Sequence, residues 1–386
     1  MGEDMSEKCG EEDLLCGNKR GMQDVMWALL YGVGETRTQA AKEIRRLTKN
    51  SEKSRAYLAA GGVIAPLVSM LQSDDAEAQE AALLALLNLA VRNERNKVKI
   101  VKAGVIPILV NFMQSENSSL RESAAAVILT LSAAATNKVI LGSSGATPLL
   151  VEMLTSGSNQ GKIDAVMALY NLSTCPENLL HILAAGPIPP LIMLLKTCKK
   201  SSRYAEKITA LLESLSAFEE GRTAIAKEEG GILALVEAIE DGSQQSKEHA
   251  VGALLTMCQS SRCKYREAIL KEGVIPGLLT LTVHGTPKAR QRAQTLLQLL
   301  RETPPSPRSN SATAMIESIV YDIAAHVDGV DEKGNETARK MLSEMVQRSM
   351  ERSMRQLQQR ALVCMPTDMS RSKRLAKLPS EDTIPH

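Results

Sequence analysis

A motif that recurs at a nearly constant interval is the feature of this sequence that most limits its fold. A glycine followed by an aliphatic run occurs six times, and the fifth residue after each glycine is leucine. Successive glycines are 42, 41, 41, 44 and 43 residues apart. The six are Gly62, Gly104, Gly145, Gly186, Gly230 and Gly273. A fixed interval of this length predicts stacked structural repeats.

A second register repeats with the same period. Each unit later carries a run rich in alanine and leucine, with one apolar residue at an equivalent position. These residues are Leu47, Leu89, Leu131, Leu172, Leu215, Met257 and Leu299, separated by 42, 42, 41, 43, 42 and 42 residues. Both registers have the same period, which a chance match would not produce. Because the second register recurs seven times, we predict about seven repeats.

Three helices fit each period. In the unit that follows Leu89, a short helix begins at Asn93 and ends near Gly104, where glycine can adopt the left-handed conformation that stops a helix. Pro107 then lies in the first turn of a second helix, where its missing N–H does no harm. After a serine-containing turn, a longer helix is predicted at 119–134, with a wide apolar face. The first unit is partial, with helices predicted at 22–31 and 37–47.

Composition supports an all-α fold and argues against several functions. Hydrophobic residues make up 44% of the chain but aromatic residues only 2%, so the core must be aliphatic, which suits packing of helices. A net charge of +2 provides no overall attraction to nucleic acid. The longest apolar runs are too short for a membrane span. We therefore predict neither a nucleic-acid partner nor a membrane-spanning segment.

Motifs that would indicate chemistry are not found in the sequence. We find no glycine-rich phosphate loop, HExxH or GxSxG, and no cysteine–histidine spacing typical of zinc. The prediction is a non-enzyme with no cofactor, no metal site and no catalytic residue. Scattered cysteines are typical of reduced thiols, which favours a cytoplasmic and/or nuclear location.

The order short helix, short helix, long helix, with Gly-x-Ile-Pro at the junction, resembles the armadillo repeat, whose period is about 40–47 residues. The resemblance implies a right-handed superhelical solenoid over residues 20–302 and a surface that binds a partner protein or an extended peptide. We also predict a monomer. The chain looks most similar to plant armadillo-repeat proteins, including the armadillo half of U-box ubiquitin ligases. That likeness implies ubiquitin-system proteins or a receptor kinase as partners. We find no U-box core of the Cys-Pro-Ile type, so it does not imply ligase activity.

Armadillo solenoids bind peptides on the face lined by each third helix, where import receptors repeat a tryptophan and an asparagine. The position equivalent to the asparagine is polar in every unit and holds Arg46, Asn88, Thr130, Asn171, Ser214, Thr256 and Gln298. The tryptophan position holds no tryptophan, so we expect no aromatic slots for lysine and no import-receptor function. The charged residues Glu80, Glu122 and Lys207 complete the predicted binding groove. A strongly acidic guest is one alternative that this groove does not exclude. Asn88 and Asn171 have an alternative role, which is to satisfy neighbouring backbone groups.

Segments outside the repeats have distinct compositions. We predict a disordered acidic N-terminus (1–19), a Pro/Ser linker (303–311), a helix that caps the last repeat (312–327), a basic amphipathic helix (334–363) and a disordered tail (364–386). Three functions follow from these features. The first is a non-enzymatic protein-binding scaffold. The second is a substrate-recognition adaptor or other component of a ubiquitin ligase. The third is a signalling protein regulated by calmodulin or membrane through residues 336–362.

Overall fold

The computed structural model describes residues 20–301, and all regular structure in that range is helical. In chain order the helices are α1 (20–31), α2 (Glu35–Thr48), α3 (Glu52–Ala60), α4 (Ile64–Met70), α5 (Ala76–Ala90), α6 (Glu94–Lys102), α7 (Val105–Met113), α8 (Ser118–Ser132), α9 (Lys138–Gly142), α10 (Ala146–Ser156), α11 (Asn159–Ser173), α12 (Leu179–Ala184), α13 (Ile188–Thr197), α14 (Arg203–Ser216), α15 (Glu219–Lys227), α16 (Gly231–Asp241), α17 (Gln244–Ser260), α18 (Arg262–Lys271), α19 (Ile275–His284) and α20 (Pro287–Arg301). The predicted all-α solenoid is confirmed. Predictions for 1–19 and for the segments after 303 lie outside the described residues.

The long third helices α2, α5, α8, α11, α14 and α17 pack each against the next. Most begin at a side chain that accepts a hydrogen bond from a main-chain N–H of the first turn, an N-cap that satisfies a donor the helix itself leaves unpaired. Asp75, Asn117, Ser158, Ser202 and Ser243 are these caps. Because one such cap precedes each of five third helices, local sequence signals set the start of these helices once per repeat.

The six repeated glycines all have a positive φ, between 69° and 86°. A residue with a Cβ is strained in that conformation, so glycine is the residue that turns the chain from the first helix of a unit into the second. At Gly104 (φ 84°) a Cβ would meet no atom within 4 Å, and only the backbone conformation demands glycine there.

The core is a continuous aliphatic layer along the stack. All six leucines of the first register are fully buried, at 0% exposure. In the second register, Leu89, Leu131, Leu172, Leu215 and Met257 are also at 0%, whereas Leu47 and Leu299 of the end units are half-buried. Within residues 20–301 each of these two end units has one neighbouring unit. A repeat buries its apolar face only by packing against such neighbours.

Two details differ from the predicted helices. The first helix of the fourth and fifth units begins with a short 3₁₀ turn, at Ala135–Asn137 and Pro176–Asn178, which leaves only short α-helices behind it. Helix α8 ends at Ser132, two residues before the predicted end, because the chain turns at Ala133 and Ala134. Across residues 20–301 no single helix is both long and apolar enough to cross a membrane, and the two helix pairs that reach this length are bent by 118° and 89°.

Candidate protein-binding groove

We call the position equivalent to the import-receptor asparagine the ladder position, and the surface that these positions form on successive third helices the groove face. It contains the residues predicted to bind a guest, namely Arg46, Asn88, Thr130, Asn171, Ser214, Thr256 and Gln298, one on each third helix from α2 to α20. Because α2, α5, α8, α11, α14 and α17 pack in sequence order, the structure brings the first six of these residues together into one row. Their hydrogen-bond partners differ between units.

The two asparagines tie adjacent third helices together. Asn88 donates its amide N–H to the carbonyl of Arg45, 2.9 Å away in the preceding unit. Asn171 donates to the carbonyl of Leu129 (3.4 Å) and contacts the hydroxyl of Ser132 (3.2 Å). Both asparagines therefore satisfy groups near the C-terminal end of the previous third helix, where the final carbonyls of a helix lack partners.

The hydroxyl members of the ladder are bonded within their own helices. Thr130, Ser214 and Thr256 each donate to the carbonyl four residues earlier, at 2.9, 3.0 and 2.9 Å. Serine and threonine often make this bond inside helices, where it leaves the oxygen lone pairs free to accept. These three side chains therefore remain available as acceptors on the groove face.

Three other predicted members, Arg46, Glu80 and Gln298, are exposed and charged or polar. Arg46 forms a bidentate pair with Glu43 of the same helix, at 2.8 and 2.5 Å. The resulting hydrogen bonds lower the pKa of the Glu43 carboxyl. Glu80 and Gln298 are exposed to solvent, and Glu80 lines a shallow cleft with Asn117 of the next unit.

Glu122 has a role that the sequence interpretation missed. Its carboxylate accepts a hydrogen bond from the main-chain N–H of Ser158 (3.0 Å), the residue that caps α11 in the next unit. Glu206 accepts from the hydroxyl of Ser243 (2.7 Å), and Glu248 accepts from Thr286 (2.6 Å), in a similar relation two and three units further along the chain. The available signal was a glutamate nine residues before the second-register apolar residue in four units.

Lys207 lies over the ring of Tyr170, with its ammonium nitrogen 3.9 Å from the ring centre. Tyr170 directly precedes the ladder residue Asn171, and the absence of aromatic slots for a guest's lysine stays a prediction. The chain's own lysine occupies that ring, which is a favourable cation–π arrangement. In the next pair of units, His249 and Glu213 hold the equivalent positions and their side chains are 2.6 Å apart.

A charged cluster joins the last three third helices. Arg292 of α20 is 2.5 Å from Glu213 of α14, and it also donates to the carbonyl of Glu248 at 2.8 Å. Gly252 of α17 lies between them, and a Cβ there would stand 2.4 Å from the Glu213 carboxylate and 2.6 Å from the Arg292 guanidinium. Glycine at this position, where an import receptor has tryptophan, lets two charges meet across an intervening helix.

The middle of the groove face is apolar. Leu84, Ala126 and Met167 hold the tryptophan position of three successive units, and each is half-buried. We call these three residues the apolar strip. Asp164 lies three residues before Met167 in α11; burial raises the pKa of its carboxyl, and the hydrogen bond from Gln160 offsets only part of that effect. Within residues 20–301 no group of three or more histidine, cysteine, aspartate or glutamate side chains is placed to hold a metal ion.

These features define an armadillo-repeat solenoid whose third helices expose a row of polar and apolar side chains. The family model of the plant U-box protein ARM repeat region matches residues 29–318, and the chain belongs to this family. It is 54% identical over 233 residues to U-box domain-containing protein 3 of Arabidopsis thaliana, a match that covers 60% of this chain and 30% of the relative.

Other comparisons agree with this assignment. U-box domain-containing protein 45 of Arabidopsis thaliana is 33% identical over 134 residues, or 34% of this chain and 17% of the relative. An engineered protein solved by the Northeast Structural Genomics Consortium has the same fold, with a TM-score of 0.66 and 22% identity over 84% of this chain and 78% of that one. The chain matches less than a third of the length of these curated relatives.

Proposed function

We propose that this chain is a non-enzymatic scaffold that binds a partner protein or an extended peptide along the groove face. The observation that carries the proposal is the uninterrupted row of ladder residues on third helices that pack in register. Extended guests need regularly spaced partners for their backbone, and a solenoid supplies such partners at one interval per repeat.

The chemistry of the row supports a guest with apolar side chains in its middle. Asn88 uses one amide N–H within the described chain and retains its other N–H and its carbonyl oxygen. The hydroxyl oxygens of Thr130, Ser214 and Thr256 are further acceptors. Leu84 and Met167 provide half-buried apolar surface between these polar groups. Polar groups would position the guest backbone, and the apolar strip would provide affinity.

Selection from a displayed peptide library, followed by fluorescence anisotropy on the enriched peptides, tests this proposal. The double variant Leu84→Glu/Met167→Glu places charge on the apolar strip without removing a hydrogen bond, and we expect it to abolish binding. The control Leu180→Glu changes a residue of α12 that is 61% exposed and should bind like wild type. Equal binding by wild type, the double variant and the control would refute the proposal that the groove face binds the peptide.

A second function is substrate recognition within a ubiquitin ligase. It is favoured by the family assignment and by relatives that are U-box domain-containing proteins. The test combines the purified chain with ubiquitin, activating enzyme and a panel of conjugating enzymes. An adaptor role predicts no transfer by the chain alone, and transfer to a groove-bound partner only when a ligase is added. A ubiquitin-system protein or a receptor kinase as the direct partner is a narrower form of the same proposal.

The other predictions stay proposals. Regulation by calmodulin or membrane through residues 336–362 concerns a segment outside the described residues, and a synthetic peptide of that segment that gains no helix with calmodulin or anionic vesicles would end it. The monomeric state and the cytoplasmic and/or nuclear location are proposed on the sequence features alone.

A further inference from the structure

The first third helix carries a cluster of four cations at one end of the groove face. Lys42, Arg45 and Arg46 of α2 and Lys49, the C-cap residue just after it, are separated by three, one and three residues. Lys49 keeps helical backbone angles, so the four cations share one side of this helix end. Together with Asn88 of α5 they line a single cleft, and no acidic residue is among its lining residues. We call these five residues the cationic cleft.

Two of the four cations already have partners, but the pairs are exposed. Arg46, with a side chain 71% exposed, pairs with Glu43. Lys42, 42% exposed, reaches Glu77 of the next unit. Exposed ion pairs contribute little to stability because water competes for both charges. A stronger anion in the cleft would therefore exchange for these carboxylates at small cost.

The other two cations have no such partner. Arg45 and Lys49 are exposed, and within residues 20–301 neither side chain takes part in an ion pair or a hydrogen bond. The backbone below them is held in place, since the carbonyl of Arg45 accepts the amide of Asn88 at 2.9 Å. The cleft thus presents two unneutralised cations on a fixed helix end.

This charge is local and is not a property of the whole groove face. The positions of Lys42 and Arg45 are taken by Leu84 and Leu87 in the next unit, and by Ala126 and Leu129 in the unit after that. All four of these apolar residues are half-buried. An extended guest that covers the apolar strip would place only one of its ends over the cationic cleft.

We propose that the cationic cleft is a subsite for a phosphorylated serine side chain of a partner segment that lies in the groove. The proposal rests on the peptide-binding function proposed above. A phosphoserine carries a charge of about −1.5 to −2, which matches the two unpaired cations, whereas a carboxylate would neutralise only one. Its three acceptor oxygens also suit the fork of donors on Arg45.

The test measures binding of three degenerate peptide libraries to the full chain by fluorescence anisotropy at fixed salt. The libraries differ only in their central residue, which is phosphoserine, serine or glutamate. We expect the phosphoserine library to bind at least about tenfold more tightly than the serine library, as charge-assisted hydrogen bonds allow. The variant Arg45→Glu/Lys49→Glu should remove that preference and leave the serine library unchanged.

A matched control reverses two other exposed lysines near a helix end. Lys99→Glu/Lys102→Glu on α6 alters the net charge by the same amount, and these side chains are exposed and lie outside the cleft. This variant should keep the phosphoserine preference. Loss of the preference in both variants would overturn the subsite in favour of general electrostatic attraction. Circular dichroism checks that both variants remain helical.

Other results separate the subsite from the groove. If all three libraries bind equally and Leu84→Glu/Met167→Glu weakens them all, the subsite fails and the groove stands. If glutamate equals phosphoserine, the cleft takes carboxylates and the proposal is overturned. Competition by inorganic phosphate at the peptide's own concentration would show that the cleft is a bare anion site. Competition by a synthetic peptide of residues 1–19 would show that the chain itself fills the cleft. If no library binds, both proposals fall.

Discussion

The side-chain amide of Asn178 donates a hydrogen bond of 3.1 Å to the main-chain carbonyl of Leu172, at the end of the preceding third helix. The same amide reaches the carbonyl of Lys138, 2.9 Å away in the unit before. Asn96 and Asn137 repeat this arrangement in earlier units. Each of these asparagines is 2% exposed, so each is a buried link between one unit and the last.

We predict that Asn137→Ala destabilises the solenoid by about 1–3 kcal/mol, because it removes the buried side-chain amide that donates to the carbonyls of both Lys97 and Leu131. Urea unfolding followed by circular dichroism measures this loss. Asn50→Ala, at an exposed asparagine between α2 and α3, should change the free energy of unfolding little. A loss no larger for Asn137→Ala than for the control would mean that the link does not stabilise the stack.

The conformation of Gly104 leads to a second prediction. Gly104→Ala should lower the free energy of unfolding by about 1–2 kcal/mol, since alanine is strained at a φ of 84° although space is available. Gly104→Asn should cost less, because asparagine adopts the left-handed conformation more readily. The same urea experiment compares them, and an alanine variant as stable as the asparagine variant would contradict the backbone explanation.

Protonation of Glu248 should account for part of the stability that the fold loses at low pH. Although burial acts to raise the pKa of its carboxyl, hydrogen bonds from Thr286 and Lys288 together hold that pKa below its usual value of 4.5. A carboxyl with a lowered pKa stabilises the fold above its unfolded pKa, and this contribution disappears as the pH falls through the folded pKa. Wild type should therefore lose more stability than Glu248→Gln between pH 6 and pH 3.

The matched control for that measurement is Glu116→Gln, at an exposed glutamate in a turn. It should follow the wild-type dependence on pH when the free energy of unfolding is measured across the same range. An unchanged acid dependence in Glu248→Gln would show that the contact with Thr286 contributes nothing to stability.

The cysteines should differ in reactivity. Burial raises the pKa of the Cys258 thiol to about 11, so little thiolate is present at pH 8, whereas Cys263 is exposed. Among the four cysteines that the structure describes, iodoacetamide at pH 8 should alkylate Cys263 before Cys258, as peptide mapping by mass spectrometry would reveal. In the urea-unfolded chain the difference should vanish, and rapid labelling of Cys258 in the folded protein would disagree with its burial.

Much of the fold could be predicted because its signals are local. The stop at Gly104 depends on one residue's conformation, and the position of Leu109 in the core depends on helical periodicity within its own helix. The roles of the candidate site residues were harder to predict from the sequence. Glu122 was predicted to face a guest, yet its carboxylate binds the start of the next third helix. Sequence alone does not reveal whether a polar side chain faces solvent or the adjacent unit.

Sequence by itself thus determined the all-α repeat architecture, its period and its family. Tertiary structure decided which polar residues hold units together, as Asn96 and Glu122 do, and which remain exposed, as Arg45 and Lys49 do. The physical reason is that helix formation and chain reversal depend on neighbours within a few residues. Hydrogen bonds between units depend on the offset at which residues about one repeat apart come to lie side by side.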